Sequence, residues 1–209
     1  IGAALVVALV ALGVGQSKIQ EPSVAASNAV MAPHFLVDPY WPKPLPNNWA
    51  MGNTIGVDVD ERDHVFIVHR NDASQFGGNT EIGLQGGVAE CCTPAPPIIE
   101  FDAEGNVVNA WGGPVEGAPY VWPASNHGIE IAPNGDVWIG GNGGGDSHVL
   151  VFSRDGEYIR TIGMQGEGRD SNSKTHFARV AEIAIDVEAN EAYFADGYQN
   201  RRVAVVDVA

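Results

Sequence analysis

The chain has 209 residues, among them 26 glycines and 13 prolines, and its 26 acidic against 11 basic side chains give a formal charge of −15. So acidic a surface repels phosphate backbones and anionic lipid, which argues against nucleic acid or a membrane surface as partner. Two adjacent cysteines, Cys91 and Cys92, are too few for a structural zinc centre on their own and lack the spacing of a Cys-x-x-Cys redox pair.

In chain order, Ile1–Gly15 (IGAALVVALVALGVG) is apolar and uncharged. Its length suits the hydrophobic region of a secretory signal, and extension upstream would make it a signal anchor, since a full span takes about 20 apolar residues. The protein is therefore expected to be exported, to the periplasm or beyond the cell, with residues 1–32 as signal or anchor remnant and polar linker. Membrane contact is expected only through that N-terminal segment. Pro33–Trp49, with Tyr40, Trp41, Pro42, Pro44, Pro46 and Trp49, reads as an ordered lead-in packed on the domain that fills 33–209.

A two-part segment then occurs three times. Gly56–Arg70 (GVDVDERDHVFIVHR) aligns without a gap on Gly128–Asn142 (GIEIAPNGDVWIGGN), and Glu182–Gly197 repeats the pattern with one residue added in the turn. A second half follows each copy: Ile98–Gly112 aligns on Val149–Gly163, and a third begins at Val203. Each half is strand, polar turn, strand. Alternation predicts that Val57 and Val59, like Ile129 and Ile131, are buried. Four short antiparallel strands recurring after 72 and then 54 residues predict an all-β fold of β-propeller blades. About four to eight blades close such a ring, so about two and a half copies predict the N-terminal part of a longer protein.

Between the halves of the first copy lies a long loop, Asn71–Pro97, rich in glycine and ending in Pro94, Pro96 and Pro97. Loops of this kind carry function or simply tolerate insertion. It holds Cys91 and Cys92, which in an oxidising compartment form a vicinal disulfide or else remain buried thiols. The matching run Gly140–Asp146 (GGNGGGD) is followed by a strand and not a helix, so it is no phosphate loop.

In an antiparallel sheet the start of the first strand and the end of the second share one edge. Arg70, His127 and Tyr198 occupy those positions in three successive copies, so all three are expected at one rim of the channel. His127 aligns with Ile55 and Ala181, so the repeat itself does not require a histidine there. An imidazole at a rim is a candidate Zn²⁺ ligand, although a catalytic zinc takes three protein ligands. His64, His69, His148 and His176 do not align with it.

Three segments carry a family resemblance: Ile67–Asn79 (IVHRNDASQFGGN), Asn126–Ile139 (NHGIEIAPNGDVWI) and His176–Val203 (HFARVAEIAIDVEANEAYFADGYQNRRV). The copies look like NHL repeats, and the chain resembles the peptidyl-α-hydroxyglycine α-amidating lyases, whose domain is a six-bladed propeller. The resemblance implies that His127 binds a catalytic zinc, and that Arg70 and Tyr198 are the active-site arginine and tyrosine. It also implies that the backbone carbonyls of Val57 and Ile129 hold a structural Ca²⁺. The implied reaction breaks the C–N bond of a hydroxyglycine-like peptide, releasing an amide and glyoxylate, with Tyr198 as general base. Two other functions compete with it. One is a non-enzymatic propeller that binds a protein or glycan through the rim and the Asn71–Pro97 loop. The other is a sugar-lactonase-like propeller, which would need acidic and Asn metal ligands that do not emerge from this sequence.

Overall fold

A computed structural model describes residues 33–71 and 92–208 of the chain. The described residues form β-strands and no helix, so none of them makes an apolar helix long enough to cross a membrane. The candidate signal, residues 72–90 of the Asn71–Pro97 loop and Cys91 lie outside them. Cys92 is described, and it is disulfide-bonded, not a free thiol.

Each repeat becomes one antiparallel sheet. In the first, β2 (Asn53–Val59), β3 (Val65–Arg70), β5 (Ile98–Phe101) and β6 (Val107–Trp111) lie side by side in chain order. In the second, β7 (Asn126–Ile131), β8 (Val137–Gly141), β9 (His148–Phe152) and β10 (Tyr158–Gly163) do the same. The third contains β11 (Ile183–Asp186), β12 (Glu191–Asp196) and β13 (Arg202–Asp207). Ahead of the first sheet, β1 (Trp49–Ala50) pairs in parallel with β4 (Thr93–Pro94).

The turns repeat as faithfully as the strands. Asp63 and Gly135 hold equivalent places and both have positive φ, 58° and 88°. In each turn the residue after the first strand donates its N–H to the carbonyl of the residue before the second, Asp60 to His64 and Ala132 to Asp136. Tight reversal demands the left-handed conformation, which Asp tolerates and Gly adopts freely.

The sheets stack face to face, and that stacking is the core. Phe66, Val68 and Ile98 of the first sheet meet Ile129, Ile131, Val137, Ile139, Leu150 and Phe152 of the second. The opposite face of the second sheet presents Trp138, Val149 and Val151 to Ile183, Ala192 and Phe194 of the third. A pleated strand offers alternate side chains to its two faces, so one sheet can serve two neighbours.

Two expectations need correction here. Ile129 and Ile131 are buried as the alternation predicted, but Val57 and Val59 are 63% and 52% exposed. Among the described residues that face of the first sheet meets no four-stranded neighbour; the β1–β4 pair and the lead-in cover Ile67, Ile99 and Phe101 but leave Val57 and Val59 open, so identical alternation gives opposite burial. The packed lead-in is also shorter than Pro33–Trp49. Pro33–Pro39 belongs to a separate compact unit and is exposed, whereas Trp41, Leu45 and Trp49 cover Ile67, Ile99 and Phe101. Trp41 anchors that cover, its ring 5.5 Å from that of Phe101 and its Nε1–H donated to the Ala103 carbonyl.

The two interfaces solve one packing problem differently. Between the first and second sheets, Arg154 pairs with Asp60 at 2.6 Å and with the buried Glu100, while its guanidinium lies over Phe66. Glu100 also takes His64 Nδ1 at 2.6 Å. At the equivalent places between the second and third sheets stand Val208, Ala132, Val151 and Trp138, an apolar set. Ionic and apolar members have changed together, because a lone buried charge would be costly.

The first strands β2, β7 and β11 are neighbours along one inner edge, and their approach is close. A Cβ on Gly56 would lie 2.7 Å from the His127 carbonyl oxygen, and one on Gly128 would lie 2.9 Å from that of Ala181. Gly56→Ala should therefore destabilise the protein by about 1–3 kcal/mol, as overpacking against backbone does. Gly144→Ala, where a Cβ meets nothing within 4 Å, should leave the urea midpoint within error of wild type. Equal midpoints for the two variants would contradict the close approach.

Candidate functional site

The rim is built where the first strands begin. Asn126, wholly buried at the start of β7, donates Nδ2–H to the His69 carbonyl at 2.8 Å and accepts the Trp122 indole N–H at 2.8 Å. Asp146, buried in the glycine run, accepts the backbone N–H groups of Ala124, Ser125 and Gly143 at 2.8, 3.1 and 2.7 Å. Those bonds pin the segment that leads into His127.

His127 follows, and both its ring nitrogens are engaged. Nδ1 lies 2.7 Å from the Ala181 carbonyl, an oxygen that only accepts, so Nδ1 carries the proton. In the neutral ring Nε2 then offers its lone pair, and the Tyr198 hydroxyl donates to it at 2.9 Å. The two rings meet edge to face with centroids 5.4 Å apart. A backbone carbonyl on one nitrogen fixes the tautomer that leaves the other free for a proton or a metal.

Arg70 enters from the first sheet. Its Nε–H donates to the Asn126 carbonyl at 3.3 Å and Nη2–H to Asn142 Oδ1 at 3.1 Å. Burial pulls its pKa down from the ordinary guanidinium value, and the nearby Tyr198 oxygen opposes that shift. The guanidinium remains a cation at any working pH.

Tyr198 comes from the loop after β12. That loop is held by Asp196, fully buried, which accepts the Ala178 N–H at 2.6 Å, the Asn200 amide at 2.9 Å and Arg202 Nε–H at 2.8 Å. Tyr198 itself is 54% exposed. One sheet thus supplies a buried cation, the next an oriented imidazole and the third a solvent-facing phenol.

Val57 and Ile129 lie lower on the same inner edge. The Ile131 N–H donates to Asp58 Oδ2 at 2.6 Å and the Ile185 N–H to Glu130 Oε1 at 3.1 Å. With period two, the main-chain groups of Val57 and Ile129 turn to that edge as well, so their carbonyls face it. Asp58, Glu130 and Glu182 crowd the edge, and burial, then Asp58, then Glu182 push Glu130 up to about 7 against the Ile185 hydrogen bond.

That shift fixes a pH dependence. Unfolded, Glu130 would lose its proton near its ordinary 4.5; folded, it keeps the proton to about 7. Its contribution is therefore fully present below 4.5 and is lost as pH rises through about 7. Glu130→Gln keeps the acceptor for Ile185 without the charge. It should raise stability above pH 7.5 by about 1 kcal/mol, discounted for solvent screening, and change little at pH 4.5. Thermal midpoints at the two pH values check this, and a gain confined to pH 4.5 would contradict it.

The sequence-level candidates Arg70, His127 and Tyr198 are brought together at one rim. His69 is remote from their chemistry: buried, it accepts the Gly52 N–H on Nδ1 and donates Nε2–H to the Pro96 carbonyl. Asn142, Asp146 and Asp196 escaped notice as site residues. Asn142 aligns with Arg70, its partner across the sheets, which was the available signal. Among the described residues no three His, Cys, Asp or Glu side chains gather as a metal-binding group. No protein-family model and no curated protein matches this chain.

Proposed function

We propose that the protein is an exported NHL-type β-propeller whose rim site breaks the C–N bond of an α-hydroxyglycine-like substrate. The observation that carries this is the hydrogen bond from Tyr198 to His127 Nε2 beside the buried Arg70 cation, since three different sheets converge on it. In the reaction Tyr198 first gives up its own proton to solvent; the phenolate then takes the proton of the substrate hydroxyl, and the oxygen electron pair forms the aldehyde C=O. The C–N electrons leave to nitrogen, which takes up a proton, so amide and glyoxylate account for every atom. Arg70 supplies the positive charge that holds the phenolate.

His127 fits one place in a zinc site, because its Nδ1–H is committed to Ala181 and its Nε2 lone pair faces the rim. The remaining ligands would come from beyond the described residues. When bound, zinc would supply Lewis acidity toward the substrate hydroxyl or carboxylate. The inward carbonyls of Val57 and Ile129 fit a calcium ion, which takes oxygen ligands.

The test is metal analysis of the natively expressed protein. About one zinc per chain is expected, lost on acidification because imidazole ligands must be neutral, and lost in His127→Ala. Zinc-free wild type would favour the second function, a binding propeller for a protein or glycan.

A further inference from the structure

We propose that Asn142 is a further ligand-binding residue of the rim, donating its side-chain amide N–H to the carboxylate of the substrate with the buried Arg70 cation behind it. The identity of that ligand, an N-acylated α-hydroxyglycine, rests on the lyase chemistry proposed for Tyr198; the donor itself does not. Asn142 is the only residue with a side chain between Gly140 and Gly145. It follows β8, whose last residue, Gly141, pairs with Asn126, the neighbour of His127.

The direction of its amide follows from its partner. Arg70 Nη2 lies 3.1 Å from Asn142 Oδ1, and a guanidinium only donates, so the atom facing it is the oxygen and the other branch is the NH₂. That NH₂ makes no hydrogen bond among the described residues. Asn142 is half-buried and its Nδ2 stays open to solvent, unlike the enclosed unpartnered nitrogens of Trp138 and Arg160. Accepting from a cation draws electron density toward Oδ1, which strengthens the N–H groups as donors.

Charge selects the acceptor. Arg70 is only 6% exposed, so an anion at the rim meets its charge mainly through this amide. Asp146, the one carboxylate of the glycine run, does not repel it strongly: it is 3% exposed and its oxygens are taken by three backbone N–H groups. The neighbouring glycines leave the donor uncovered, and the fold does not need all of them. A Cβ on Gly141 or Gly143 would come within 2.5 or 2.8 Å of neighbouring atoms, and Gly145 has a φ of 84°. Gly144 has neither reason, since a Cβ there meets nothing within 4 Å and its φ is not positive. Its bareness leaves open room beside Asn142, as a ligand's close approach to backbone requires. In the α-hydroxyglycine class the carboxylate sits on the carbon whose C–N bond breaks, so its donor belongs at the same rim as Tyr198.

The probes are N-acetylglycine, which has the carboxylate but no reactive hydroxyl, and its neutral counterpart N-acetylglycinamide. Binding to the full chain is read on the ¹⁵N resonances of the Asn142 side chain, identified by their loss in Asn142→Ala, and of the Gly143 and Gly144 backbone. N-acetylglycine should shift them saturably and N-acetylglycinamide should not. Asn142→Asp keeps an acceptor for Arg70 but sets a negative charge toward the ligand, so it should weaken N-acetylglycine binding about ten-fold or more. No saturable shift, an equal shift by the neutral probe, or wild-type binding by Asn142→Asp would overturn the contact. The comparison of probes on wild type decides the matter even where Asn142→Asp fails to fold. Binding as expected without turnover of an α-hydroxyglycine peptide would keep this contact and sink the lyase reading, whereas turnover with an unchanged KM in Asn142→Ala would do the reverse.

Discussion

Asp196→Ala should destabilise the protein by about 3–5 kcal/mol, the range for removing one partner from a buried charged network. Asp196 is fully buried and accepts from a backbone N–H, an amide and a guanidinium. Its loss strands three donors. Arg202 also donates to the carbonyls of Ser173 and His176, so the change loosens the whole segment before the third sheet. Of a total stability of about 5–15 kcal/mol, that is a large share. Asp196→Asn should fall between, since Oδ1 still accepts from Ala178 while Nδ2 now faces Arg202. Urea midpoints give both values, and an alanine variant within about 1 kcal/mol of wild type would contradict the network's role.

Tyr198→Phe should lower turnover of an α-hydroxyglycine peptide by about 10²–10⁴, the usual worth of a positioned proton acceptor. Stability should hardly change, because Tyr198 is more than half exposed and its one hydrogen bond among the described residues is the one to His127. The same substitution frees His127 Nε2, so zinc content should be kept. His127→Ala removes the imidazole and should abolish both metal and turnover. Kinetics and metal content on the two variants separate the roles, and Tyr198→Phe with full activity would remove the phenol from the chemistry.

The repeat made the sheets readable, because alternation and turn chemistry are local and each copy corroborates the others. It did not reveal burial at Val57, since the pattern says which residues share a face but not whether anything covers that face. Arg70, His127 and Tyr198 were readable for a related reason: their distance from each strand's end fixes the rim they reach. Their supports were hidden. Asp146 lies in a glycine run that looked like plain loop, yet its carboxylate gathers three backbone donors contributed from two places in the chain. The exchange of Asp60, Glu100 and Arg154 for Ala132, Val151 and Val208 is visible once the copies are aligned, but its meaning needs the stacking of the sheets.

The most direct test of the rim chemistry is product analysis on the zinc-loaded protein with a synthetic N-acyl-α-hydroxyglycine. Amide and glyoxylate should appear in equal amounts, faster than the uncatalysed breakdown, and the excess rate should vanish in His127→Ala. Zinc-loaded wild type that releases neither product above the uncatalysed rate would contradict the proposed lyase chemistry.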